Sequence, residues 1–221
     1  MAETLQPAHP LPQIDFWFDF GSNYSHISAM RIEEAAALRG VRVAWKPFLL
    51  GPIFKSFGWP TSPFLLNQAM GDYMWRDMVR QCAKYGVPWK KPSAFPRLSV
   101  LPLRVALLGV DRPWIGEYCR RIMRRNFVED RDIHTPEAVG AVLDGLGLPA
   151  TDLLAQAQSE RIKRELRANT ETAQASGVFG APTFFARGEM FWGNDRLDDA
   201  LDSIAGQPSP TLFRTHPASP I

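Results

Sequence analysis

Residues 16–28 read FWFDFGSNYSHIS, and the fold turns on how that stretch is parsed. The aromatic and β-branched alternation of IDFWFDF, 14–20, predicts a strand. Gly21 follows. Ser22 or Asn23 can then cap a helix that carries Ile27, Met30 and Leu38 on one side, runs to Arg39 and stops at Gly40. VRVAWKPF, 41–48, alternates again as a second strand. These residues predict a β-α-β unit with parallel strands and a right-handed crossover. A helix that starts straight after a strand presents unpaired N–H groups and a partial positive charge, which favour an anion. At that point Ser22 and Ser25 stand three residues apart, in the spacing at which redox proteins place two cysteines.

Working outward, residues 1–13 carry three prolines and read as a loose tail, as do residues 207–221 with four. Residues 49–67 read as irregular, with Pro52, Pro60 and Pro63. Helices are predicted over 68–86, 98–109, 112–128, 136–145 and 150–176, with the proline-rich 87–97 as a loop. Thr135-Pro136 pairs a capping residue with proline at the first helical position. Strand signals return at GAPTFFARGEMFWGNDR, 180–196, where 183–186 and 189–192 flank the turn Arg187-Gly188, and a last helix covers 196–205. The order β-α-β, helices, β-β-α predicts an α/β fold: a thioredoxin-like domain, 14–49 plus 177–206, interrupted by an all-helical insertion, 50–176. Ala181-Pro182 fits it, because proline suits a strand's first position and leaves its neighbour's backbone groups available to a ligand.

Composition narrows the function. Of 221 residues 45% are apolar, and 25 basic against 23 acidic side chains leave a net charge of +2, so nothing calls for nucleic acid or an anionic membrane. Arg120, Arg121, Arg124 and Arg125 read as a solvated helix face. No metal-ligand spacing, signal peptide or membrane-length apolar run is read, and the expected location is the cytoplasm. Cys82 and Cys119, the two cysteines, read as incidental thiols.

Ser22 admits several readings. It is an ordinary N-cap; or it donates a hydrogen bond to a thiolate held by a ligand, glutathione being the obvious diffusible thiol; or it pairs with His26 as a nucleophile, though no third orienting residue is evident. Ser25 reads as a first-turn residue without chemistry, and His134 as structural.

FWFDFGSNYSHIS, WKPFLLGPIFKSFGW and GVFGAPTFFARGEMFWGNDRL together resemble the 2-hydroxychromene-2-carboxylate isomerases, relatives of kappa-class glutathione transferases, over about 14–205. The resemblance implies a thioredoxin-like domain with a helical insertion, a homodimer, and glutathione as cofactor. It implies that Ser22 hydrogen-bonds the glutathione sulfur and that Ala181 and cis Pro182 hold its cysteinyl part. By the same carry-over, Asn194 and Asp195 bind the γ-glutamyl end and Lys55 lies near the glycyl end. The implied reaction is cis–trans isomerisation of a small aromatic-degradation intermediate through reversible addition of the thiolate. Trp59, Tyr73 and Trp75 are candidates for an apolar wall against a flat substrate, or ordinary core. Asn23 stands where many members have proline, and Gly58-Trp59-Pro60 where they often have an asparagine contact. Conjugation of an unknown electrophile and non-catalytic thiol binding remain the alternatives.

Overall fold

Alternation in the first strand sorts its side chains onto two faces of a sheet. In the computed structural model, which describes residues 11–206, β1 (Gln13–Phe18) sends Ile14, Phe16 and Phe18 to one face and Trp17 to the other. α1 (Asn23–Ala37) crosses over to β2 (Arg42–Pro47), which pairs in parallel with β1. Far along the chain, β3 (Thr183–Ala186) pairs antiparallel with the other edge of β1, and β4 (Glu189–Trp192) antiparallel with β3. The sheet order is β2-β1-β3-β4. Arg187 and Gly188, with φ of 52° and 83°, make the left-handed turn between β3 and β4.

The eight intervening helices are α2 (Leu50–Ser56), α3 (Pro63–Leu66), α4 (Gln68–Tyr85), α5 (Val100–Gly109), α6 (Ile115–Phe127), α7 (Pro136–Asp144), α8 (Ala150–Ala157) and α9 (Glu160–Ala175). A 3-10 turn, Asn194–Arg196, leads into α10 (Leu197–Ala205). One core runs from Phe16, Phe18, Trp45 and Phe184 through α1 and α10 into α5–α7, where Tyr118, Ile122 and Leu143 are buried. The opposite sheet face is covered by α2 and α9 around Trp17, Phe48, Ile53 and Ala173. A third cluster joins Ile27 of α1 to Met74, Met78 and Cys82 of α4.

The thioredoxin-like order with helices between its halves is present, and three local expectations change. Residues 49–67 are not irregular: α2 and α3 lie there, because Pro52 and Pro63 fall in first turns, where their missing N–H groups cost nothing. The helix expected over 150–176 is two, divided where Ser159 caps α9 by accepting from Ile162 N–H. The first strand ends at Phe18, since Asp19 turns its carboxylate back to Gly21 N–H. Of the expected tails, 1–10 and 207–221 lie outside the described residues, while Gln13 belongs to β1.

Asn67 ends α3 and caps α4 through Met70 N–H, and this tight corner brings the Phe64 carbonyl against Gly71. A methyl group at Gly71 would overlap that carbonyl, whereas at Gly51 in α2 it would meet nothing within 4 Å. Gly71→Ala is therefore expected to lose about 1–3 kcal/mol in urea unfolding, and Gly51→Ala to lose none. Equal effects at the two positions would contradict the close α3–α4 approach.

Candidate active site

The register of β1 against β3 decides what meets at the end of the sheet. Trp17 pairs with Thr183, so the chain leaving β1 and the chain entering β3 are neighbours there. Ser22 caps α1 in extended conformation, its Oγ accepting from Ser25 N–H at 3.2 Å and donating to the Ala181 carbonyl at 2.9 Å. The Ala181-Pro182 bond is cis. Ala181 N–H, and the Asn23 and Tyr24 N–H groups in the first turn of α1, have no hydrogen-bond partner among the described residues. The first turn of α1 therefore keeps unpaired backbone donors beside the Ser22–Ala181 contact, at a helix N-terminus where a negative charge is favoured.

The turn that presents Ser22 is held from behind. Asp19, buried, accepts from Gly21 N–H at 2.8 Å, Ser99 O–H at 2.6 Å and Leu50 N–H at 2.9 Å. Burial raises its pKa, against the lowering effect of those bonds. Asn126 donates to the Phe20 carbonyl at 2.9 Å and is itself held by Arg97.

On the far side, Gly193 N–H donates to the Pro182 carbonyl at 3.0 Å. Asn194 is buried, and its Oδ1 accepts from Ser28 at 3.2 Å and Arg31 at 3.3 Å. Asp195 is exposed and bonds Arg196 at 3.0 Å. Tyr24 donates to Asp77 at 2.8 Å; burial and then Asp77 push its pKa up. Lys55 lies exposed in the last turn of α2.

The three aromatic candidates do not come together. Trp59, 40% exposed, packs on Phe54 and Phe57, and Tyr73 is 62% exposed on α4. Trp75, two residues on, faces another way and packs against Trp89 and Phe95. His26 makes no bond to Ser22 through its side chain. Its Nε2–H donates to the Pro88 carbonyl at 3.0 Å, and its buried Nδ1 has no partner among the described residues. Both cysteines are buried, which pushes the Cys82 thiol up to about 11 and Cys119 well above its ordinary value.

Sequence reading missed Asp19, Arg31, Tyr24 and Trp192. Trp192 lies against Gly180, where a Cβ would overlap the indole, and packs edge-on with Phe179 at 4.8 Å beside the cis proline. Nothing in IDFWFDF sets Asp19 apart from Asp15, its other carboxylate.

Residues 13–205 match the family of DSBA-like thioredoxin domains, and the chain belongs to that family. It is 25% identical over 206 residues to the kappa 2 glutathione S-transferase of Caenorhabditis elegans, covering 87% of this chain and 91% of that one. It is 29% identical over 189 residues to a 2-hydroxychromene-2-carboxylate isomerase of Sphingobium xenophagum, covering 84% and 94%. A solved 2-hydroxychromene-2-carboxylate isomerase superposes with a TM-score of 0.78 at 24% identity, over 88% of this chain and 95% of that one. No described helix is long and apolar enough to cross a membrane, and no acidic, histidine and cysteine cluster fit for a metal occurs among the described residues.

Burial lowers the His26 pKa from 6.5 to about 4. Between those values the unfolded chain takes up a proton that the folded protein refuses. Stability is therefore complete above the unfolded pKa and lost as pH falls toward the folded one, by about 3 kcal/mol in all. His26→Gln keeps a donor for Pro88 and cannot titrate, so its unfolding free energy should fall less across that window. Parallel pH profiles for both proteins would remove the buried neutral histidine.

Proposed function

We propose that this member of the DSBA-like thioredoxin family is a glutathione-dependent isomerase acting on 2-hydroxychromene-2-carboxylate-type intermediates of aromatic degradation. The observation that carries the reading is Ser22 Oγ at the N-terminus of α1, bonded at 2.9 Å to the carbonyl ahead of a cis proline, with no cysteine at 22 or 25. The anion-favouring geometry of a redox site is kept without its thiol, and both protein thiols are buried. The named relatives support an enzyme of the isomerase or transferase kind.

Glutathione, when bound, would supply a thiolate for reversible addition to a conjugated carbon of the substrate and would not be consumed. Ser22 turns its single hydroxyl proton from Ala181 O to the sulfur, while Ser25 N–H continues to donate to Ser22 Oγ. The free Asn23 and Tyr24 N–H groups add the field of the helix terminus. Ala181 N–H takes a backbone carbonyl of the tripeptide. Asp195 receives the γ-glutamyl ammonium in place of Arg196, and the Asn194 side chain fixes the turn from inside. Lys55 takes the glycyl carboxylate. Trp59 and Tyr73 offer exposed rings to a flat substrate; Trp75 serves as packing. In this reading the protein works in the cytoplasm as a homodimer on a small aromatic substrate, without nucleic acid or membrane.

A kappa-like transferase that conjugates an electrophile is the second reading, favoured by the kappa relative. Product analysis with 2-hydroxychromene-2-carboxylate separates them: isomerisation leaves the free-thiol count unchanged, and conjugation lowers it. Ser22→Ala should cut turnover by about 10²–10³-fold, with circular dichroism unchanged. Unchanged turnover in the folded variant would reduce Ser22 to an N-cap.

A further inference from the structure

Three parts of the molecule meet on one buried carboxylate. The donors to Asp19 are Gly21 N–H, in the turn that presents Ser22; Leu50 N–H, the first residue of α2, the helix that carries Lys55; and the hydroxyl of Ser99, the residue before α5. Oδ1 serves Gly21 and Ser99, and Oδ2 serves Leu50. The two backbone donors therefore sit on different oxygens of one rigid planar group. Gly21 has little room to adjust, since a Cβ there would stand 3.2 Å from the Arg97 carbonyl.

We propose that Asp19 is a positioning residue that fixes α2, and with it Lys55, at a set distance from Ser22, so that both ends of one thiol tripeptide can be held together. This rests on the glutathione reading above. A carboxylate suits the task because it has only acceptors. An asparagine in the same space offers one acceptor and one N–H₂ group, so in either orientation one backbone N–H faces another donor. Asp19→Asn releases either the Ser22 turn or α2, while the packing around it is kept.

The same bond can be cut from its other end. Leu50 is the first residue of α2, and Leu49 before it is extended, with φ −103° and ψ 121°. Proline is accepted at that position and wants an extended neighbour. Leu50→Pro therefore deletes the N–H and leaves the helix, and Leu50→Ala controls for the lost side chain. Ser99→Ala removes the bond to the α5 end and leaves both backbone bonds in place.

The test is calorimetric titration with glutathione, together with ultraviolet titration of the bound thiol, on each folded protein. Asp19→Asn and Leu50→Pro should weaken binding about ten-fold or more, with Leu50→Ala and Ser99→Ala within about two-fold of wild type. Asp19→Asn should also raise the pH at which the bound thiol ionises, a readout that a purely structural bond would not move. Wild-type affinity and thiol ionisation in Asp19→Asn overturn the positioning role alone, as does equal weakening by Ser99→Ala. Absence of glutathione binding by the wild-type protein overturns the glutathione reading and the role with it. Should Asp19→Asn fail to fold, the Leu50→Pro and Leu50→Ala pair decides, with equal affinities counting against the proposal.

Discussion

The antiparallel pairing of β1 with β3 is the constraint on which the rest of the molecule depends. It joins segments more than 160 residues apart in sequence, as Trp17 and Thr183 show, and its end brings Ser22 to Ala181. The pairing is held in register by burial. Phe16 stacks on Phe184 at 5.4 Å inside the larger core, while Trp17 packs on Phe48 on the opposite face. A slip by one residue would exchange those faces and unstack the phenylalanines from the larger core. It would also shift Ser22 by about 3.3 Å along the strand, which is more than a hydrogen bond can span. The precision of the site is thus inherited from an apolar core with no chemistry of its own.

Polar burial then refines what the sheet brings together. Phe20 O, Gly21 N–H, Leu50 N–H and Pro182 O would each be an unsatisfied group near a helix or strand end. Asn126, Asp19 and Gly193 satisfy them. Arg31 bonds both Asn194 and Asp198 and stacks on Tyr85 at 3.5 Å, which ties the 3-10 turn and α10 to α1 and α4. Removing one partner from such a pair costs about 1–3 kcal/mol because the other stays buried.

Local signals made most of this legible in the sequence. The strands around Phe16, Trp45 and Phe184 announce themselves by alternation, the α4 end by Gly86 and the hairpin by Arg187-Gly188. Ser22, Ala181 and Pro182 were readable because each sits at a boundary between elements. Reading failed where the deciding partner is distant. Pro52 and Pro63 looked like breakers, because only helix starts at Leu50 and at Pro63 itself turn them into first-turn residues. Tyr73 and Trp75 looked like one wall, but two steps on a helix rotate a side chain by about 200°, and Trp89 and Phe95 wait on the other side. The buried anchoring of Asn194 left no local sign, because its bonds to Ser28 and Arg31 span more than 160 positions.

A serine at this helix terminus has one proton, and that limits what it can contribute. The proton is spent on Ala181 O. Turning it to a sulfur anion exchanges a neutral hydrogen bond, worth about 0.5–1.5 kcal/mol, for one to a charge, worth about 1.5–3. The net gain is then about 1 kcal/mol, and the helix terminus adds about 0.3–1 more, or up to about 2 where partly buried. Neither effect dominates, so the site needs both. Deleting the hydroxyl costs more than adding it gains, because an anion lodged against α1 would then lack a donor in a place water does not readily reach. That asymmetry separates a serine that merely caps a helix from one that serves a thiolate: the cap is replaceable by solvent, and the donor to a buried anion is not.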